Sequence, residues 1–165
     1  MMPTFPKDFW EETQGSLEFI PSNDIPIDIT FTAVKMFLFD KDKILLTKVP
    51  RGWDMPTGHK EEGEDLYRAV IRETQEETGV IVKQPKFIGY LKITQVTKNE
   101  NNKKYPSISA IAIFCCRDFS IVDFITPLHE ATEMCFYDIN KVAEIHHRWS
   151  PLNESMMRYA YSIKV

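Results

Sequence analysis

No apolar stretch in this 165-residue chain approaches the length of a membrane span. Its opening, MMPTFPKDFWEE, has no basic region followed by an apolar core, so no secretory leader is expected. Cysteine is scarce. Of the three present, Cys115 and Cys116 sit side by side in the apolar run AIAIFCC, where successive strand side chains point to opposite faces, and buried reduced thiols are expected. A soluble, cytoplasmic protein fits these absences. Positive charge is not in excess either: the formal net charge is -4 and the pI about 5.6. No overall basic field favours DNA, RNA or an anionic membrane, although a local patch is compatible with these totals. Internal repeats and low-complexity segments are also missing.

What is present suits one globular domain with a sizeable core, at 43% hydrophobic and 27% charged residues. FTAVKMFLF (31–39) reads as a strand, Asp-Lys-Asp as a turn and KILLTKV (43–49) as a second strand. A loop around Pro50 and Gly52 leads to a helix from about Asp65 to Thr78, stopped by Gly79. Strands at 86–96 and 107–116 flank the polar TKNENNKK, a solvated hairpin loop. A short strand at 134–139 precedes a brief helix near Asn140–Ile145. Ser150 caps a closing helix whose first turn takes Pro151 and whose Leu152, Met156, Tyr159 and Ile163 recur at helical spacing. Strands mixed with helices in this order imply an α/β fold with a mixed sheet. Residues 1–30 read as an extension packed on a domain of residues 31–165, because Phe9, Trp10, Phe19 and Ile20 require burial.

The helix at 65–78 raises a question of charge. At about 100° per residue, Tyr67, Val70, Ile71 and Thr74 form one apolar arc, and Glu73, Glu76 and Glu77 share the adjoining arc with Leu66 and Ala69. Like charges three and four residues apart repel by roughly 0.2 to 0.5 kcal/mol per pair when exposed, and by more when desolvated. Arg72 reaches Glu76 at i+4, but one guanidinium cannot neutralise three carboxylates. A hard divalent cation can, and Mg²⁺ takes a few carboxylates together with substrate phosphates. Three glutamates alone are more often a solvated helix face; the surrounding segment decides otherwise.

From Gly58 the chain runs GHKEEGEDLYRAVIRETQEETGV, which resembles the Nudix box, G-x5-E-x7-R-E-U-x-E-E-x-G-U, with U a bulky aliphatic residue. Gly58, Glu64, Arg72, Glu73, Glu76, Glu77 and Gly79 match every fixed position. By average residue usage such a coincidence has a chance on the order of one in a million. Thr74 departs from the first aliphatic position, and Thr57 stands where many members have glycine. The resemblance implies a Nudix-type α/β/α sandwich with a mixed β-sheet, and Mg²⁺- or Mn²⁺-dependent hydrolysis of a nucleoside diphosphate linked to another moiety.

By that resemblance Glu73, Glu76, Glu77 and the Thr57 carbonyl hold the metal, Arg72 orients Glu73, and the residue matching Glu73 most often also takes a proton from water. Glu64 supports the loop and helix, while Gly58 and Gly79 are conformational. Members of the family often add an acid from a loop beyond the sheet. HEATEM (129–134) supplies Glu130, the favoured candidate, and Glu133. Lys48, Arg51 and Lys60 stand close enough to the box to meet phosphates. Trp53 suits stacking on a base or plain packing, adjacent His146 and His147 read as a polar helix end, and the Asn-rich 99–102 stretch reads as a plain turn. Tags of the NADH, ADP-ribose and coenzyme A subclasses are missing. Nucleoside triphosphates, oxidised ones included, therefore lead, ahead of dinucleoside polyphosphates and capped or triphosphorylated RNA ends. The expected partner is a small nucleotide, with no DNA and no membrane, and a homodimer is left open. The alternative is a nucleotide-sensing or interaction module with little turnover.

Overall fold

The computed structural model describes residues 3–122 and 130–165, so His129 of HEATEM lies outside the described residues. In chain order its strands are β1 (Asp8–Trp10), β2 (Gly15–Pro21), β3 (Phe31–Asp40), β4 (Lys43–Val49), β5 (Gly52–Asp54) and β6 (Thr57–His59). Helix α1 (Leu66–Thr78) follows, then β7 (Val80–Val82), β8 (Lys86–Gln95), β9 (Ile108–Cys116), β10 (Phe119–Ile121) and β11 (Glu133–Asp138). A 3₁₀ turn (Val142–Glu144) and helix α2 (Pro151–Ser162) complete the chain.

Alternation along β3 organises the molecule. Val34, Met36 and Leu38 point to one face and meet Leu66, Ala69 and Val70 of α1. Ala33, Phe37 and Phe39 point to the other and share a core with Leu152, Met156 and Met157 of α2. A strand covered on both faces carries the near-continuous apolar run that β3 and β9 show. The result is an α/β/α sandwich. Cys115 joins the α2-side core and Cys116 the α1-side core, as strand alternation requires; both thiols are free, and burial pushes Cys115 up to about 11.

The sheet runs β1-β2-β8-β9-β3-β4-β11, with β6 pairing β3 and β5 pairing β4; β7 and β10 form a separate two-stranded ribbon. Only β3 and β9 pair in parallel among these ladders, so the sheet is mixed. Among the described residues no helix is long and apolar enough to cross a membrane.

The expected strand and helix limits differ from the observed ones by a residue or so, with four larger differences, of which one is the ribbon of β7 and β10, three residues each and absent from the sequence reading. The brief helix near Asn140–Ile145 is a single 3₁₀ turn. The loop around Pro50 and Gly52 contains β5 and β6, too short for any periodicity to register. The N-terminal residues form two strands: β2 pairs with β8 over seven residues, and β1 closes the edge. Phe19 is buried against Phe5 and Tyr159, and Trp10 packs on the same core. Arg148 holds the hairpin from the other side, with bonds to both Asp8 carboxylate oxygens (3.1 and 3.3 Å) and to the Phe9 carbonyl (2.6 Å).

The 99–102 stretch is more than a solvated turn. Asn99 and Asn101 each donate to the Glu12 carbonyl, at 3.1 and 3.0 Å. Asn102, only 1% exposed, donates to the carbonyls of Thr13 (2.7 Å) and Thr97 (2.8 Å) and accepts from the Asn99 amide (2.9 Å). Its side chain welds the β1–β2 turn to the β8–β9 loop. Asn102→Ala leaves these backbone groups without their buried partner and should cost about 2 kcal/mol in urea unfolding. Amide exchange should accelerate chiefly at residues 11–15 and 97–102; unchanged stability and exchange would contradict this role.

Candidate active site

Helix α1 is positioned by its ends. The Asp65 carboxylate caps the first turn by accepting from the Arg68 amide at 2.9 Å, and Gly79, at φ 73°, closes the last turn with its N–H on the Gln75 carbonyl at 2.8 Å. Its buried stripe is Leu66, Ala69, Val70, Thr74 and Thr78. The stripe is rotated towards the acids compared with the expected arc. Tyr67 is 41% exposed and meets the core at the edge of Phe114. Glu73 and Glu77 therefore border the packed face. Thr74 is fully buried with its hydroxyl donating to the Val70 carbonyl at 2.7 Å, so its departure from the aliphatic type leaves no polar atom stranded.

Arg72 is the hub. Nε and Nη2 grip the two Glu64 carboxylate oxygens at 2.8 and 2.9 Å, Nη1 donates to Glu73 (2.8 Å) and Glu76 (3.0 Å), and Nη2 also donates to the His59 carbonyl (3.1 Å). These bonds hold Glu64 down at about 2, and the carboxylates keep Arg72 protonated. Glu64 in turn accepts from the Glu61 amide at 3.0 Å, so the loop before α1 is tied to the helix through it.

Glu77 differs. Burial pushes its carboxyl up to about 8, and the negative charges of Glu73 and Asp54 add to the rise; the Thr57 amide, donating at 3.3 Å, opposes it. Gly58 is demanded by proximity: a Cβ there would collide with the Glu73 carboxyl group.

The acids open onto a cleft of about 760 Å³. Among the described residues Arg51, Thr57, Lys60, Arg72, Glu73, Glu76, Glu77 and Glu130 all line it. Lys48 is not among those residues: it faces Glu133 at 3.3 Å and lies over the Trp53 ring. Glu133 thus belongs to a strand and an ion pair, which separates it from Glu130. Trp53 packs against the α2-side core.

His146 and His147 have a partner that sequence spacing did not reveal. Buried Asp54 receives them at 3.0 and 3.2 Å, together with the Lys35 ammonium at 3.3 Å. Burial alone would raise the Asp54 carboxyl, but Lys35 and the two imidazoles hold it well below the usual range. Two histidines and an aspartate this close have metal-ligand spacing. However, the Arg148 amide donates to His146 Nδ1 at 3.0 Å, which places the ring proton on Nε2, where it points at Asp54. Burial lowers the His146 pKa and favours that neutral form. The cluster is a hydrogen-bonded strut joining the pre-box loop to the C-terminal segment. Lys35 could have been suspected as a lone charge inside an apolar strand; nothing in the sequence joins Asp54 to His146.

Residues 30–159 match the family model for the NUDIX domain. The chain belongs to the Nudix family. No curated protein matches it. Among solved structures it is similar to a mutant form of the Bacillus subtilis pyrophosphohydrolase BsRppH, with TM-score 0.63 and 18% identity over 94% of this chain and 93% of that one. A Nudix hydrolase from Nitrosomonas europaea aligns with TM-score 0.61 and 22% identity over 80% and 88% of the two chains. A MutT protein from Bacillus halodurans aligns with TM-score 0.57 and 23% identity over 79% and 82%. At such identities the shared property is the Nudix fold.

Within that Nudix fold Glu77 makes stability depend on pH in a direction opposite to that of a salt-bridged acid. Its folded pKa, about 8, lies above the ordinary 4.5. Between those values the native state keeps a proton that the unfolded chain has lost, so stability falls as pH rises through this window. Glu77→Gln removes the dependence. In the absence of divalent cations it should match the parent near pH 4 and exceed it by a few kcal/mol above about pH 8 in denaturant titrations. Parallel pH profiles for the two proteins would show that Glu77 is not strained.

Proposed function

We propose that this chain hydrolyses the pyrophosphate linkage of a nucleoside diphosphate derivative, with nucleoside triphosphates as the leading substrates, through Mg²⁺- or Mn²⁺-assisted attack of water. The observation that carries this reading is the gathering of Glu73, Glu76 and Glu77 on one wall of a cleft that Arg51 and Lys60 also line. Similar structures support this reading: a pyrophosphohydrolase and a MutT protein among them, and a Nudix domain of Shewanella oneidensis NrtR that is complexed with a nucleoside diphosphate derivative, ADP-ribose.

Nudix hydrolases generally use divalent metals, and the residues here fit such an ion. All the donors are oxygens, as a hard cation requires. Glu77 is a carboxyl whose burial disfavours its charge until a cation compensates it, and Gly58 leaves the Glu73 carboxyl the room it occupies. Glu73, Glu76, Glu77 and the Thr57 carbonyl would hold the ion. Once bound, it supplies charge neutralisation at the phosphate oxygens and a more acidic water.

The protein's own groups do the rest. Arg72 fixes the carboxylates of Glu73 and Glu76 in one geometry through its own Nη1. Arg51 and Lys60 face the phosphate chain as cations. Glu73 accepts a proton from the attacking water, and Glu130, which also lines the cleft, assists. Positioning and electrostatics carry this chemistry, and no protein nucleophile is required.

Hydrolysis should stop with EDTA and return with Mg²⁺ or Mn²⁺, while circular dichroism shows the fold intact; full turnover in metal-free buffer would defeat the reading. Glu73→Gln should lower kcat by about two orders of magnitude or more, with thermal stability equal to the parent or slightly higher because a repulsive charge has gone. Glu130→Gln should reduce kcat far more than Glu133→Gln, whose partner is Lys48; equal small effects would return Glu130 to the solvated surface. A parent that binds a nucleotide tightly and turns over none would favour a sensing module.

A further inference from the structure

Asp54 receives more donors than a strut between two segments requires. Its Oδ1 accepts from the Met55 amide at 2.8 Å, His146 Nε2 at 3.0 Å and the Lys35 ammonium at 3.3 Å. Its Oδ2 lies 3.2 Å from His147 Nε2, and since an ionised carboxylate only accepts, His147 presents an Nε2 proton there. The same Oδ2 also faces the Arg51 guanidinium, whose Nη2 stands 3.7 Å away. Arg51 is half-exposed and lines the cleft, whereas Asp54 is buried. The outer oxygen of a buried carboxylate thus meets a cation that belongs to the cleft wall.

The backbone beside Arg51 is fixed from the same side. The His147 amide donates to the Trp53 carbonyl at 3.0 Å, and Trp53 bridges to His146. Gly52, at φ 122°, lies so close that a Cβ there would sit 2.9 Å from the His147 Cβ. Both residues following Arg51 are therefore packed against the C-terminal segment that also holds Asp54. The charges around Asp54 are unequal: one carboxylate stands between two cations. Lys35 is enclosed with it and makes the closer contact, so the buried charge is met from within. Arg51, farther away and half in solvent, is oriented by the carboxylate while its own charge stays available to an anion.

We propose that Asp54 is a positioning residue for Arg51: braced by His146 and His147, its carboxylate aims the guanidinium into the cleft, towards the pyrophosphate of the substrate. This rests on the reading of the cleft as a pyrophosphate site. The negative charge of Asp54 by itself opposes an anion bound nearby, and only its hold on the Arg51 geometry works in the anion's favour. The two contributions have opposite signs, so a variant that removes the charge and keeps the shape separates them. His147 has a graded part in this. While it donates to Oδ2, that oxygen is shared; without it the Arg51 guanidinium is drawn towards Asp54 and away from the phosphates.

The test is a double-mutant cycle with Arg51. KM and kcat for nucleoside triphosphates are measured with Mg²⁺, and calorimetry in the same buffer gives Kd for methylenediphosphonate, a pyrophosphate analogue that cannot be hydrolysed. Asp54→Asn should raise KM and Kd about fivefold or more, with kcat changing much less, and by less than about twofold when Arg51 is already alanine. His147→Phe keeps a ring against His146 and should shift both constants in the same direction by a smaller factor, again only with Arg51 present. It decides the question if circular dichroism shows that Asp54→Asn does not fold. Tighter or unchanged anion binding in the folded variants overturns the inference. So do equal effects with and without Arg51, which a purely structural strut produces. Either result leaves the hydrolase reading standing where the parent turns over triphosphates. If the parent hydrolyses none, yet Asp54→Asn weakens methylenediphosphonate binding only when Arg51 is present, the positioning role stands and the hydrolase reading falls.

Discussion

One guanidinium sets the terms for the functional end of this molecule. Arg72 carries a single charge and spends its donors on Glu64, Glu73, Glu76 and the His59 carbonyl. Its fork geometry matches the carboxylate of Glu64 in a way lysine could not, and that bidentate grip ties the loop to the helix. Glu77 receives the Thr57 amide instead and is left in a poorly solvated position. A helix selected for stability alone would not concentrate acids beside its packed face. The strain is local and is offset elsewhere, in a sheet whose central strands are covered on both sides.

That sheet makes the arrangement possible. β3 supplies both cores and also carries β6, which brings Gly58 against the Glu73 carboxyl. The pre-box loop is fixed again at Asp54, where His146, His147 and Lys35 converge from the C-terminal segment and from β3. Two polar networks therefore hold the loop from opposite ends, one through Arg72 and one through Asp54. Rigid support of this kind keeps the side chains beside the loop in place. The N-terminal hairpin contributes in another way. It covers the β8 edge and supplies the closing wall of the cleft, held there by asparagine side chains that look like ordinary turn residues in the sequence.

Legibility followed the range of the interactions. Strands β3, β4, β8 and β9 and both principal helices were readable because their signals are local: apolar period, cap residues and a stop at Gly79. The acids and Arg72 were readable because they lie on one helix, where spacing alone makes them neighbours. β1, β2, β5, β6, β7 and β10 were not. The three-residue strands carry no period to detect, and β2 is fixed by its pairing with β8, far along the chain. Tyr67 lies on the mostly apolar arc that periodicity gives and yet is 41% exposed, since the packing of α1 against β3 and β9 chose the rotation of the helix.

The sequence by itself determined which chemical groups α1 presents, that their like charges would crowd one helix face, and that the central strands would be enclosed. Those properties depend on residues a few positions apart, whose geometry is set by helix and strand periods. Only the tertiary structure decided that Lys48 pairs with Glu133 while Glu130 reaches the cleft, that Asp54 gathers the two histidines, and that Thr13 and Gln95 leave oxygens unpaired across the sheet from the α1 glutamates. Each of these joins residues some 80 or more positions apart, as with Lys48 and Glu133 or Asp54 and His146. Such pairings follow from strand order and register, which are settled by how the whole set of apolar faces is buried at once and not by any local pattern.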